Sequence, residues 1–330
     1  MSKNKISIII FVLFLISCTT TTRPSEQDFH IGFNGLAIGF LKNTPPSKVF
    51  EEETLPVILN VKNIGAYDIK DNEAVLSLGV EKDYTKRVDL LKEGRVAQLQ
   101  DTAASFSLAG RSALNQIGDE EVISYNVQAG TLDPQSEYHT TTVIATLCYP
   151  YETTLTNTIC IDTDINNLRP GKKVCKAQDL VLSKGQGAPV AITKIEVNML
   201  PLLGEQKYEK IKPQFLIYVE NKGQGLVIKR EAVKDFCTKS DTKHENINIV
   251  YVEVLLGDKE LECQLEKKEG SAEQGHIKLK AGKDIIRCAV EEGEAIDKYQ
   301  DPYFSTLKVI LKYGYTQSLS ANYFIQKSVG

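Results

Sequence analysis

The chain has 330 residues, of which 42% are hydrophobic and 25% are charged. This composition is typical of a soluble globular protein, and the length suggests about two domains. The net charge of −4 comes from 39 basic and 43 acidic residues interspersed along the chain. The sequence therefore predicts no nucleic-acid partner, because no basic surface is implied.

The N-terminus carries the pattern of a secretory signal. Lys3 and Lys5 form a short basic start, and residues 6–16 are apolar except for Ser7. A charged start, a short apolar stretch and a small residue before a cleavage point are typical of a signal peptide. The apolar stretch is shorter than the ~20 residues that a membrane-spanning helix needs.

The end of this segment, the sequence LISC at residues 15–18, resembles the lipobox of bacterial and archaeal lipoproteins. The resemblance implies that residues 1–17 are a lipoprotein signal peptide and that Cys18 is lipid-modified and becomes the first mature residue. It also implies an extracytoplasmic protein anchored to a membrane by its N-terminal lipid. Residues 18–32 are mostly polar and are expected to form a flexible stalk. An ordinary signal peptide followed by an incidental cysteine stays open as the alternative.

The rest of the chain reads as short strands separated by turn residues. Long amphipathic helical patterns are missing, and this spacing indicates a β-sandwich or a barrel. One stretch, 88–112, is less strand-like and is expected to hold a short helix or a long loop. The strands that we predict are Gly35–Leu41, Leu55–Val61, Ala74–Val80, Glu121–Val127 and Thr140–Leu147.

Two patterns recur in the same order along the chain. Residues 61–65, VKNIG, match residues 219–223, VENKG, and each follows an apolar stretch. Residues 145–161 align without gaps to residues 309–325, with a pair of tyrosines at the same two places. Such repetition predicts two copies of one fold.

We place the first copy at residues 33–165 and the second copy at residues 189–328. The stretch between them, 166–188, is rich in polar residues, glycine and proline. That composition is typical of a linker between domains.

The VxNxG turn after an early strand, with a closing aromatic hairpin, resembles immunoglobulin-like (Ig-like) sandwiches of the cell-adhesion-related type in bacterial and archaeal surface proteins. The CYPY sequence at 148–151 and the ICI sequence at 159–161 also look like those of envelope lipoproteins from small-genome archaea. The resemblance spans about residues 33–327 and implies an all-β chain with two tandem Ig-like β-sandwich domains. The chain has no tryptophan and so departs from the antibody pattern.

The six cysteines after Cys18 favour disulfides, because an even number in an exported chain usually pairs. If residues 142–162 form a hairpin that turns near Thr154, Cys148 faces Cys160 on the outer side of the sandwich. No CxxC pair occurs, so a zinc site is not favoured. The predicted pairs are Cys148 with Cys160, Cys263 with Cys288, and Cys175 with Cys237.

Asp162, Asp164 and Asn166 stand at alternate positions, like the start of a calcium loop. The rest of the EF-hand pattern is absent, because Asn167 and Lys173 occupy the places of its glycine and glutamate. A structural calcium ion between the two sandwiches is one interpretation. The other is a solvated turn in which these side chains satisfy nearby backbone groups.

The sequence contains no catalytic constellation that we recognise. There is no GxSxG, and the histidines at 139, 244 and 276 are expected to be exposed rather than catalytic. Tyr149, Tyr151, Tyr313 and Tyr315 recur in both copies, and core packing is the favoured role for them over ligand binding. The stretches 88–112 and 238–248 are the largest candidate binding loops.

These features predict a non-catalytic cell-envelope lipoprotein that presents Ig-like domains for binding, adhesion or scaffolding. Its expected partners are a membrane, through the lipid, and an envelope protein or a surface glycan. Two alternatives stay open: an accessory subunit of an envelope secretion, pilus or transport complex, and a hydrolase of envelope polymers. A groove lined with exposed aromatic residues and carboxylates would favour the last of these.

Overall fold

The computed structural model describes residues 29–91, 96–100, 102–202, 210–239, 243–265 and 275–328. Almost all of its regular structure is β-strand, so the predicted all-β class is confirmed. Cys18 and the stalk residues before Phe29 lie outside the described residues. No helix in the described ranges is long and apolar enough to cross a membrane.

The first copy builds a four-stranded sheet in the order β1-β3-β8-β5 and contributes five further strands to a larger sheet. Alternate residues of β3, such as Val57, Leu59 and Val61, are fully buried, as expected for a strand with one face on a core. The strands of this copy are β1 (Leu36–Phe40), β2 (Lys48–Phe50), β3 (Thr54–Asn63), β4 (Ile69–Gly79), β5 (Thr85–Leu91), β6 (Ala97–Gln100), β7 (Ala103–Leu108), β8 (Glu120–Ala129) and β9 (Tyr138–Ile161).

The linker and the second copy build a sheet in the order β10-β11-β12-β18-β16, with β19 paired to β12. One short helix, α1 (Val233–Thr238), follows β13. The strands are β10 (Leu180–Val181), β11 (Val190–Leu202), β12 (Lys210–Asn221), β13 (Leu226–Ile228), β14 (Ile249–Leu256), β15 (Lys259–Glu260), β16 (Glu262–Cys263), β17 (His276–Lys278), β18 (Lys283–Ala289), β19 (Ile296–Asp297) and β20 (Tyr303–Gln326).

The two segments predicted to close each copy as hairpins are instead single strands of 24 residues each, β9 and β20. They pair antiparallel along their whole length, with Pro150 opposite Gly314 at the middle. At about 3.3 Å per residue each strand is about 80 Å long. The hairpin prediction was wrong because residues 152–158 carry no residue that forces a turn.

Each long strand belongs to both sandwiches. The end of β20 pairs with β2 of the first copy, where Val49 lies beside Ile325, and its start pairs with β14, where Val254 lies opposite Val309. The ten-stranded sheet therefore runs through both copies: its main order is β15-β14-β20-β9-β4-β7-β6, with β13 and β2 also paired to β20 and β17 to β14. It packs against the two smaller sheets through one continuous hydrophobic core.

The predicted division into residues 33–165, 166–188 and 189–328 stays a prediction. β9 lies within the first range and β20 within the last, but the two strands pair along their whole length and so join the copies in one sheet. The predicted side-chain alternation agrees with the structure even though the hairpin does not. An uninterrupted strand places every second residue on one face, just as a hairpin of matching register does. The residues expected to share the inner face are all buried: Ala145, Leu147, Tyr149, Ile159 and Ile161.

In its described residues, the stretch 88–112 holds the end of β5 and the strands β6 and β7, where a short helix or a long loop was expected. Ala103 and Ala104 are poor strand formers by themselves. They are fully buried beside β4, and this packing decides their conformation. The other predicted binding loop, 238–248, holds a 3-10 turn at His244–Asn246 in its described part.

Candidate functional site

Four tyrosines meet where β9 and β20 cross the boundary between the copies. Tyr149, Tyr151, Tyr313 and Tyr315 are each at most 1% exposed, so the predicted core role is confirmed. The rings of Tyr149 and Tyr315 lie 5.8 Å apart, and those of Tyr151 and Tyr313 lie 6.3 Å apart. Such spacing is typical of favourable aromatic packing.

The tyrosine hydroxyls make the same hydrogen bonds in both copies. The Tyr149 hydroxyl accepts from Leu36 N at 3.2 Å, and the Tyr313 hydroxyl accepts from Val190 N at 3.2 Å. The Tyr151 hydroxyl accepts from Tyr67 N at 3.3 Å, and the Tyr315 hydroxyl accepts from Gly225 N at 2.7 Å. The copies are thus related by a pseudo-two-fold axis near the middle of the long strands.

The VxNxG turns supply the other half of this arrangement. Asn63 Oδ1 accepts from Gly65 N at 3.1 Å, and Asn221 Oδ1 accepts from Gly223 N at 3.2 Å. A Cβ on Gly65 would lie 1.8 Å from the Tyr151 hydroxyl, and one on Gly223 would lie 2.2 Å from that of Tyr315. The motif therefore combines an asparagine that fixes the turn with a glycine that admits the tyrosine.

Burial keeps this cluster uncharged. Desolvation raises the pKa of Tyr149 and of Tyr313 well above the ordinary value. Because a neutral phenol both donates and accepts, each hydroxyl can hold two backbone groups at once. Tyr151, for example, also donates to Gly187 O at 3.1 Å. We assign the cluster to holding the copies together.

Helix α1 of the second copy covers the outer face of the long sheet. A disulfide joins its Cys237 to Cys148 of β9 across 89 residues of sequence. Val75, Ala103, Ile228 and Val233 complete a small second core around this bond. The disulfide therefore fixes the helix of the second copy to strands of the first.

The predicted pair Cys148–Cys160 is wrong, and so is Cys175–Cys237. Cys148 and Cys160 do share the outer face, but they are twelve residues apart in one strand, or about 40 Å, and a disulfide needs Cα atoms within about 7 Å. The structure pairs Cys160 with Cys175. It also contains Cys263–Cys288, the pair that the sequence predicted.

The acidic turn after β9 is held by a lysine of the same chain. Lys173 Nζ donates to both carboxylate oxygens of Asp162 at 3.0 Å, and to the backbone oxygen of Asp164. Asp164 Oδ1 accepts from Leu168 N at 2.9 Å. Asn166 is exposed. The ammonium group thus occupies the position in which the calcium hypothesis would place an ion.

The charge of Asp164 is stabilised in this turn. Desolvation opposes ionisation, but the N–H groups of Leu168 and Arg169 and the charges of Lys173 and Arg169 outweigh it and lower the pKa of Asp164. Arg169 also donates to Gln300 O at 2.8 Å. This turn is therefore tied to the loop that precedes β20. Its carboxylates satisfy backbone groups, as the alternative to a calcium site predicted, but Asp162 and Asp164 are buried rather than solvated.

The histidine predicted to be exposed at the start of β9 lies in a surface contact. The ring of His139 stacks on Tyr84 with centroids 3.5 Å apart, and Nε2 lies 3.1 Å from Glu81 Oε2. A hydrogen bond with His139 lowers the pKa of Glu81. Among the described residues, no group of three or more His, Cys, Asp and Glu side chains is arranged to hold a metal.

A surface concavity lies beside α1, between residues of the two copies, and we call it the seam groove. It has a volume of about 740 Å³. One wall of the groove is β1, the outer strand of the four-stranded sheet. The other wall is the segment of β20 that lies between the residues paired with β13 and the residues paired with β2. Residues of both copies line it, among them Ile38, Leu226, Phe236, Lys239, Gln317 and Leu319.

The β1 side of the seam groove is an open sheet edge. Leu41 N donates to Ile58 O and Ile64 N donates to Gly35 O, so the odd-numbered residues of β1 bond to β3. The even-numbered residues therefore turn their backbone N–H and C=O groups away from β3. Sequence reasoning missed this site because an open edge is a property of sheet order, and no residue type marks it.

The similarities of this chain to known proteins are structural. No family model matches it, and no curated protein matches it by sequence. Among solved structures, it is similar to a partial N-terminal region of the Enterococcal surface protein at 8% identity and a TM-score of 0.21, covering 86% of this chain and 84% of that one. It is similar to the collagen adhesin of S. aureus at 11% identity and a TM-score of 0.16, covering 91% and 94%.

Proposed function

We propose that the protein is a non-catalytic binding module of the cell envelope, anchored through a lipid on Cys18. The observation that carries this proposal is the shared pair of long strands. Because β9 and β20 pair over all 24 residues and the Cys148–Cys237 bond joins the copies, the two Ig-like sandwiches act as one elongated body. Such a body suits the display of a binding surface rather than closure around a substrate.

Three disulfides support a location outside the cytoplasm. Each joins cysteines that are far apart in sequence, by 89, 15 and 25 residues. Disulfides of this kind form and persist in oxidising compartments. The disulfides agree with export of the chain, which in this proposal is directed by the N-terminal signal.

The point at which the N-terminal segment joins the fold supports anchored display. Gly32 N donates to Lys184 O at 2.7 Å, and Gly187 N donates to Gly32 O at 2.9 Å. Gly187 also contacts Tyr151 near the middle of the long strands. A lipid-anchored chain would therefore enter this body near its centre and leave both ends of the long sheet accessible.

The seam groove supports a protein partner over a surface glycan. Its side chains include exposed apolar groups such as Leu226, and its wall contains an unpaired strand edge. The charged lining residue Lys239 forms an exposed ion pair with Asp235, with Nζ and Oδ1 2.9 Å apart. Carboxylates do not line this groove in the described residues. These features also favour a related function, in which the protein is an accessory subunit of an envelope complex and binds another subunit through this groove.

In-cell crosslinking of the anchored protein, followed by mass spectrometry, tests the proposal. We expect one recurrent protein partner in every replicate, crosslinked at the same residues of this chain. The variant Cys18→Ser should leave the membrane fraction and lose that partner while it keeps its folded structure. A chain that crosslinks to no protein and is retained on surface polysaccharide would overturn the protein-binding form. Hydrolysis of that polysaccharide by the purified protein would overturn the non-catalytic assignment.

A further inference from the structure

The pseudo-two-fold axis allows the same sheet edge to be compared in both copies. The backbone carbonyl of the first residue of each edge accepts a hydrogen bond from a side chain of a long strand. Leu36 O accepts from Gln317 Nε2 at 2.8 Å, and Val190 O accepts from Thr153 Oγ1 at 2.6 Å. Gln317 and Thr153 occupy equivalent places in the repeat. The edges therefore start from matched positions.

Two residues further along, the edges differ. In the second copy, Ile192 N donates to Gln186 Oε1 at 2.9 Å, and Gln186 Nε2 donates to Ile192 O at 3.1 Å. Gln186 is only 4% exposed. The equivalent N–H and C=O groups of Ile38 have no hydrogen-bond partner within the described ranges. One copy thus satisfies this part of its edge with a buried amide, and the other leaves it open.

The covering of the second edge continues as a strand. β10 pairs antiparallel with β11, with Leu180 opposite Ile195 and Val181 opposite Lys194. Leu182 N also donates to Thr193 O at 2.9 Å. The second copy therefore shows what fits this edge: an extended, antiparallel segment of chain that supplies amide groups.

We propose that the open edge of β1 in the seam groove is a strand-addition site for an extended segment of a partner protein. The segment runs antiparallel to β1 and bonds to the backbone of Ile38 and Phe40. This inference rests on the proposed binding function and names the class of ligand. Exposed edges of this kind bind peptides through main-chain hydrogen bonds, with pockets for alternate side chains.

The groove selects the character of the segment. Leu226, Phe236 and Leu319 offer apolar contacts along it, and its lysine is already paired with Asp235. An uncharged segment with apolar side chains at alternate positions would bury these groups without leaving a charge unpaired. A strongly acidic or basic peptide would not be preferred.

Amide hydrogen exchange of the free, full-length protein gives the first test. The Ile38 and Phe40 amides should exchange at least about 100-fold faster than those of Ala37 and Gly39, which bond to β3. The Ile192 amide serves as the protected equivalent in the second copy. If the Ile38 amide is as protected as that of Ile192, the edge is already covered by the chain itself or by a second copy, and the proposal fails.

A random 12-residue peptide library displayed on phage gives the second test, with the purified protein as bait. We expect enriched peptides that lose at least about 10-fold in affinity with Ile38→Pro, because proline removes the open N–H but no bond of the free fold. Gly39→Ala keeps every backbone donor and should bind as the wild type does. Leu226→Lys should also weaken binding, whereas Ile285→Lys, on an exposed site of β18, should not.

The two proposals fail in different ways. Absence of enriched peptides, or peptides that bind Ile38→Pro as tightly as the wild type, overturns the strand-addition site. If the in-cell partner is still captured by Ile38→Pro and Leu226→Lys, the binding function stands and its surface lies elsewhere. A cooperative thermal unfolding transition shows whether each variant is folded. If Ile38→Pro is not folded, the binding measurement with Leu226→Lys decides the question.

Discussion

Removal of the Cys148–Cys237 disulfide should destabilise this protein more than removal of either other disulfide. In the chain-entropy model the stabilisation grows with the logarithm of the loop that the bond closes. Loops of 89, 25 and 15 residues correspond to about 4.6, 3.5 and 3.0 kcal/mol at 25 °C. The first bond also holds α1 over the long sheet, so its loss removes packing around Val233.

The assay is urea unfolding at equilibrium, followed by circular dichroism, for three double variants in which each pair is replaced by alanine. We expect the free energy of unfolding to fall most for Cys148→Ala/Cys237→Ala and least for Cys160→Ala/Cys175→Ala. Amide hydrogen exchange in α1 should become faster only in the Cys148→Ala/Cys237→Ala variant. If the first variant loses no more stability than the Cys160–Cys175 variant, the idea that this bond joins the two copies is wrong.

Three further predictions concern the junction and the linker. Burial raises the pKa of Tyr149. The contribution of this tyrosine to stability is therefore complete below the unfolded-state pKa of about 10 and is lost as the pH rises above that value. Tyr149→Phe should lessen the fall in unfolding free energy at alkaline pH by up to about 1.4 kcal/mol per pH unit. Gly65→Ala should cost about 3 kcal/mol through overpacking in thermal or urea unfolding, whereas Gly39→Ala, with nothing within 4 Å of the added Cβ, should cost little. Lys173→Met should speed proteolysis of the linker where exposed Lys172→Met does not, and a calcium chelator should leave the wild type unchanged.

The sequence allowed the class of fold and the repeat to be predicted, because both depend on local patterns. Strand alternation marks buried faces wherever the partner strand lies, so Tyr149 and Tyr313 could be placed in the core. The VxNxG motif marks a turn in each copy for the same reason. The gap-free match between 145–161 and 309–325 was the clearest signal, and it corresponds to the two long strands.

What could not be predicted depends on which strand pairs with which. A strand of 24 residues is much longer than the usual 3–10 residues, so residues 142–162 were interpreted as a hairpin. The disulfide partner of Cys148 followed from that interpretation and was wrong with it. Cys237 reaches Cys148 only because β9 and β20 pair across the copies and bring α1 over the first copy. The seam groove follows from the same topology.

The difference between the two edges has its origin in chain connectivity. The pseudo-two-fold axis gives each copy an equivalent edge, at β1 and at β11, with matched hydrogen bonds at Leu36 and Val190. The linker lies directly before the second copy, so it supplies Gln186 and β10 to that edge. A linker joins two copies only once and can cover only one edge in this way. The duplication thus produces a covered edge that stabilises the fold and an equivalent open edge, at Ile38, that is available for a partner.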